Sequence, residues 1–311
     1  MQRPLFLESI DDRGVARITL TRAEVHNAFN DQLIAELTTA LLGLESDPRV
    51  RIVVLAADGR SFSAGADLNW MKAMADFDEK ENLRDARGLA RLMRTLNELG
   101  KPTIALVQGA AFGGGVGLVA CCDIAIASET ANFALTEVKL GLIPAVISPY
   151  VVAAMGERAA RRYFLTAERF TAQDAQRLGL IHEVASPHRL EDAAERFIAS
   201  LLEAGPTALT EAKALVFAVA QRPLSFRLQR VYNVGGYRRR VYRVPLRQKC
   251  RLADRGPGPG GHRRRPLGPL RPGGCPGAGA FSLRSLADYS RAGGGRFASA
   301  VPGGRVPGAG L

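Results

Sequence analysis

The stretch Lys101–Glu137, KPTIALVQGAAFGGGVGLVACCDIAIASETANFALTE, decides the reading of the fold. Thr103–Val107 is a short continuous apolar run, the pattern of a strand buried on both faces. Gln108 and Gly109 end it, and the triplet Gly113–Gly114–Gly115 follows. Gly114–Cys122 then reads as a small-residue helix and Asp123–Ala127 as the next strand. Strand, glycine turn, helix and strand in succession point to an α/β fold. Glycines let a backbone approach a ligand closely, and the first amides of a helix lack partners within it, so this turn could hold an oxyanion. A tight packing turn accounts for the triplet equally well. Glu137, a carboxylate shortly after the second strand, favours the first reading.

Working outward, Gly14–Thr21 (GVARITLT) alternates like a strand and Arg51–Ala57 (RIVVLAA) reads as a central one. Between them Asn30 or Asp31 opens a helix whose Ile34, Leu37, Leu41 and Leu44 share a face. Ser61–Trp70 (SFSAGADLNW) is then a small-residue loop at a strand's end, where ligands of α/β folds commonly sit. Glu79–Leu99 reads as a helix with Leu89, Met93, Leu96 and Leu99 in register and Gly100 as its stop. The unit of strand, small-residue loop and helix therefore repeats. Helices are expected at Ala145–Met155, Glu157–Leu165, Thr171–Leu178, Leu190–Glu203 and Pro206–Ala220. The resulting division is a core over residues 1–195, a helical region over 196–230 and a tail over 231–311.

The net charge of +12 over 311 residues suggests a nucleic-acid or membrane partner until its location is read. Residues 231–311 hold fifteen Arg and one Lys against two Asp, whereas the first 230 residues, with 26 basic and 28 acidic side chains, are near neutral. The tail contains no Glu, and eighteen Gly and nine Pro make up a third of it. Such a composition cannot bury enough surface to offset its ordering entropy. It is also what a GC-rich gene yields when read out of frame, so a frame change near residue 230 is expected ahead of a true basic arm. A nucleic-acid-binding role for the tail finds no aromatic interleaving for base stacking.

Cys121 and Cys122 are neighbours on a helix and point in different directions, and Cys250 and Cys275 have no metal-ligand spacing. They read as plain thiols of a reducing compartment, which implies a cytoplasmic protein. His26, His182, His188 and His262 share no spacing that suggests a triad or a metal site. The N-terminus lacks the apolar core and cleavage site of a signal peptide. Pro102–Cys122 is uncharged, yet Gln108 and five glycines interrupt it. A buried strand and helix suits it better than a membrane span.

With FSAGADLNW, GAAFGGGVGLVACCDIAIAS and LTEVKLGLIP in this order, the sequence resembles the enoyl-CoA hydratase/isomerase, or crotonase, family over roughly residues 12–230. Within that family it looks most like bacterial hydratases of methylglutaconyl-CoA and related branched glutaconyl-CoA thioesters. The resemblance implies an α/β spiral of repeated ββα units with a helical C-terminal region, assembled as trimers or hexamers. It implies an oxyanion hole from the backbone N–H groups of Ala66 and Gly114. Ala64, Gly65, Ala66, Asp67 and Leu68 would form part of the CoA pocket, and Arg22 lies where the family usually meets CoA phosphates. Glu137 matches one of the two glutamates that hold and activate water in well-known hydratases. The other position is Gly117, which leaves the work to one carboxylate. The substrate would be an acyl-CoA, with no metal or redox cofactor and with CoA as part of the substrate. An enoyl-CoA isomerase is the alternative, since one glutamate suffices to move a proton between two carbons. From the residues themselves, Asp67 reads as a helix cap or a chemical group. Phe112 and Tyr150, close in sequence to Gly113 and Pro144, read as core aromatics or as walls of an acyl pocket.

Overall fold

The computed structural model describes residues 4–67, 69–71 and 78–220. The expected readings of Leu68 and of the tail over 231–311 lie outside the described residues. Strands β1 (Phe6–Ile10), β2 (Val15–Leu20), β3 (Ile52–Ala57), β5 (Thr103–Val107), β7 (Ile124–Ser128) and β10 (Glu183–Ala185) form a six-stranded sheet in the order β1-β2-β3-β5-β7-β10. Strands β4 (Ser61–Ser63), β6 (Ala110–Phe112), β8 (Asn132–Ala134) and β9 (Phe170–Thr171) form a four-stranded sheet in that order. Only the β1–β2 and β8–β9 pairs are antiparallel among the described residues.

The helices are α1 (Asp31–Ser46), α2 (Glu79–Glu98), α3 (Gly114–Cys121), α4 (Ser148–Met155), α5 (Glu157–Thr166), α6 (Ala172–Arg177), α7 (Leu190–Glu203) and α8 (Pro206–Ala220). The pairs β3 and β4, β5 and β6, and β7 and β8 each leave one strand in the large sheet and one in the small sheet. The repeated ββα spiral is therefore present. Local chemistry fixes its starts: the Asn30 side chain accepts from the Leu33 N–H at 2.9 Å, and capping boxes at Asp78/Glu81 and Thr171/Asp174 open α2 and α6.

Period-two alternation along the large sheet separates two cores. Ile18, Leu20, Val53, Leu55, Ala105 and Val107 face α1, α2 and α3 in the larger core. Val15, Ile52, Val54, Ile104, Leu106 and Ile126 face the other way, onto Leu190, Ala193, Ala194 and Ile198 of α7. Residue 195, the expected edge of the core, thus falls inside a helix that covers one face of the sheet. Strand β10, which the sequence reading did not name, adds three residues that pair with Ile126–Ser128. Helix α8 is held by polar ties: Lys213 Nζ lies 2.8 Å from Asp123 Oδ2 and the Thr210 hydroxyl donates to the Gly100 carbonyl. No described helix is long and apolar enough to cross a membrane.

Candidate active site

The strands β4, β6 and β8 run parallel side by side in the small sheet. Ala66, Gly114 and Glu137 follow their C-terminal ends within two or three residues, so three separate parts of the sequence converge at one edge. Gly65 adopts φ +87°, and a Cβ there would lie 2.9 Å from the Phe112 carbonyl oxygen and 3.5 Å from the Gly114 nitrogen. The two loops are thus in direct contact. Phe29 clamps the first of them, its N–H donating to the Gly65 carbonyl at 2.7 Å and its carbonyl accepting from the Asp67 N–H at 2.8 Å. This bridge skips the Ala66 N–H.

The second loop turns at Gly113, with φ +50° and its N–H bound to the Ala134 carbonyl at 2.9 Å. Gly114 then opens α3. Neither the Ala66 N–H nor the Gly114 N–H has an acceptor among the described residues. Two fixed, unpaired donors side by side can receive the charge that develops on a carbonyl oxygen during reaction.

Glu137 begins a 3-10 turn, Glu137–Leu140, whose end is closed by the Leu142 N–H donating to the Glu137 carbonyl at 3.0 Å. Its carboxylate lies against Gly113: Oε1 would be 3.2 Å from a Cβ at that position. A side chain at Gly113 would press on it and strain the φ +50° turn. Oε2 is buried and has no partner among the described residues. Burial pushes the Glu137 carboxyl above its ordinary range, against a smaller opposing pull from its own backbone amide. A carboxylate raised in this way is the better proton acceptor near neutral pH.

Arg22 and Asp67 meet beneath the first loop. The Arg22 guanidinium donates to Asp67 Oδ2 at 3.0 Å and to the Ala28 carbonyl, and the pair is largely shielded, with side-chain exposures of 13% and 10%. In this structure those two donors brace the loop. Asp67 Oδ1 accepts from the Asn69 N–H at 2.9 Å, the bond that a capping residue makes. Burial pushes its carboxyl up, but the Asn69 N–H and Arg22 outweigh it and hold the group below the usual range.

Phe112 is half-buried on β6 beside the glycine turn, with the Arg169 guanidinium 5.1 Å from its ring centroid. Tyr150 is half-buried on α4. Burial first, then Cys121 and Glu98, push its phenol up, with Arg94 opposing. Cys121 and Cys122 are buried, unbridged thiols, and burial pushes Cys122 up to about 12. Among the described residues no group of three His, Cys, Asp or Glu side chains could hold a metal ion.

Gly117 lies one turn beyond Gly113 on α3, its N–H donating to the Gly113 carbonyl at 3.2 Å. The space beside it is filled. A Cβ at Gly117 would lie 2.3 Å from Ile147 Cγ2 and 3.2 Å from Met93 Cε. Ile147 is a site residue that sequence reasoning passed over; its only signal was a β-branched residue amid the loop that joins Glu137 to α4.

The family model described as enoyl-CoA hydratase/isomerase matches residues 11–231. An enoyl-CoA hydratase structure from Shewanella pealeana superposes with a TM-score of 0.70 at 47% identity, covering 74% of this chain and 88% of that one. An enoyl-CoA hydratase structure from Mycobacterium smegmatis gives a TM-score of 0.72 at 31% identity, covering 75% of this chain and 90% of that one. The 2,3-dehydroadipyl-CoA hydratase of Escherichia coli is 34% identical over 200 residues, 64% of this chain and 76% of that protein. With its spiral of paired strands and its match over most of its length, the chain is an enzyme that belongs to the enoyl-CoA hydratase/isomerase family.

Proposed function

We propose that the chain adds water across the 2,3 double bond of an enoyl-CoA thioester whose acyl group is branched and carries a carboxylate, such as 3-methylglutaconyl-CoA. The observation that carries the reading is the convergence of two unpaired backbone donors and one buried carboxylate at the edge of the small sheet. The thioester carbonyl oxygen accepts from the Ala66 and Gly114 N–H groups. Water adds its oxygen to the β-carbon, Glu137 takes the proton it releases, and the same carboxyl returns a proton to the α-carbon. Oxyanion stabilisation and a placed acid/base group each supply about 10²–10⁴ in rate. The reaction draws on no metal or redox cofactor, and CoA enters only as part of the substrate.

The preference for a glutaconyl group rests on the resemblance of GLIPAVISPYV to hydratases of that class and on the absence of a second carboxylate that would repel the substrate's own. Steady-state hydration of 3-methylglutaconyl-CoA and crotonyl-CoA tests it, and a wide preference for crotonyl-CoA overturns the substrate assignment. The lone carboxylate also suits a double-bond isomerase. Product analysis separates the two, because hydration leaves a hydroxyl group and isomerisation only moves the double bond.

A further inference from the structure

Gly113, the φ +50° residue just before α3, and Gly117 within it are joined across the first turn by the Gly117 N–H donating to the Gly113 carbonyl at 3.2 Å. At Gly113 the Glu137 carboxylate rests on the glycine, and at Gly117 Ile147 does so. Glu137 and Ile147 thus meet the start of α3 one turn apart, from the two ends of one connecting segment. Ile147 is 2% exposed, and Met93, the other atom set at Gly117, is fully buried. We propose that Ile147 is the positioning residue of the site: its branched side chain fills the space beside Gly117, closes the α3 side to water and to any second polar group, and leaves Glu137 the one carboxylate there among the described residues.

This deepens the function proposed above and gives the missing side chain at Gly117 a physical counterpart. Even the single carbon of an alanine cannot enter at 2.3 Å from Ile147 Cγ2 without displacing it. Charged neighbours do not set the state of Glu137. Lys139 on its own turn is exposed, as are Arg158, Arg161 and Arg162 on α5, and Arg162 is engaged by Glu168. Helix α3 contributes only Cys121 and Cys122 at its far end, both held protonated by burial. The environment of Glu137 is therefore set by exclusion of water, which is what Ile147 supplies.

Two measurements on the full chain test this. The first is a carbon-13 NMR titration of carboxyl-labelled glutamate, with Glu137→Gln assigning the resonance. Ile147→Ala should move the Glu137 midpoint to lower pH, whereas Ile147→Val, which keeps Cγ2, should leave it in place. The second is a double-mutant cycle in thermal unfolding. Gly117→Ala should lower the midpoint by roughly 3–10 °C in the parent chain and by less than half as much in the Ile147→Ala background. Ile147→Leu, which keeps volume and loses the β-branch, serves the cycle where Ile147→Ala does not fold. An unmoved Glu137 midpoint in folded Ile147→Ala, or an equal cost of Gly117→Ala in both backgrounds, overturns the proposal. Neither readout needs substrate, so a failure of the hydratase reading, seen as no turnover of any enoyl thioester, is separately visible.

Discussion

On one side of the site two backbone N–H groups, those of Ala66 and Gly114, stand ready in loops clamped by Phe29 and by each other. On the other side a single carboxylate, Glu137, leans on Gly113 with one oxygen unpartnered. The donor side draws its chemistry from the main chain, so its side chains serve only to permit close approach. The carboxylate side draws its chemistry from one side chain, so everything around it serves to exclude water. The first arrangement fails by displacement and the second by deletion.

The largest effect should come from deletion. Glu137→Gln keeps the shape of the group and removes proton transfer, so kcat and kcat/KM should fall together by about 10²–10⁴ while substrate affinity holds. Near-normal turnover in folded Glu137→Gln would abolish the distinction between the two sides. Next in size is the brace beneath the donors. Arg22→Ala leaves Asp67 buried without its partner, at a cost of about 3–5 kcal/mol in chemical denaturation. The Asp67 carboxyl is held below its ordinary 3.8, so this contribution is present above that pH and is lost as pH falls through the lowered value.

Displacement should cost less. Gly65→Ala forces a side chain onto φ +87° and into the Phe112 carbonyl at 2.9 Å. It should separate the donor loops, lowering kcat by up to about 10²–10³ with Glu137 untouched. A variant that unfolds less readily than the parent and turns over normally would show that the loops are not held by this contact. The smallest effect concerns stability alone. The folded pKa of Glu137 lies above its unfolded value near 4.5, so its ionisation opposes folding as pH rises through the folded value. Glu137→Gln should therefore be more stable than the parent at neutral pH and lose that advantage below about 4.5, as read from denaturation midpoints across pH.

The large sheet was legible because its strands carry apolar runs, and helices α7 and α8 match the expected Leu190–Glu203 and Pro206–Ala220. The small sheet was not. Ser61–Ser63, Ala110–Phe112 and Asn132–Ala134 are three residues each, too short for any period to show. Those are nevertheless the strands that aim Ala66, Gly114 and Glu137 at one point. The glycine turn and Glu137 could be singled out because their chemistry is local, and Ala66 came with the family resemblance, whereas the partnerships of Arg22, Tyr150 and Ile147 are set by tertiary contacts. The sequence alone did not show Asp67 beside Arg22, since the pair is joined across forty-five positions of chain. Nor did the missing side chain at Gly117 say which neighbour fills its place.

The parallel pairing of Ser61 with Ala110 and of Ser63 with Ala111 has one more consequence. Adjacent strands in a sheet are held about 4.8 Å apart by their own hydrogen bonds, whatever their side chains. Because the donor loops leave the same ends of two such strands, their spacing derives from a ruler common to all polypeptides. Drift in sequence can recolour the walls of the pocket and retune its carboxylate, yet it has little purchase on that interval. The interval between the two loops proposed to hold the thioester oxygen is therefore the enzyme's least evolvable dimension, and the choice of acyl group is left to everything the ruler does not measure.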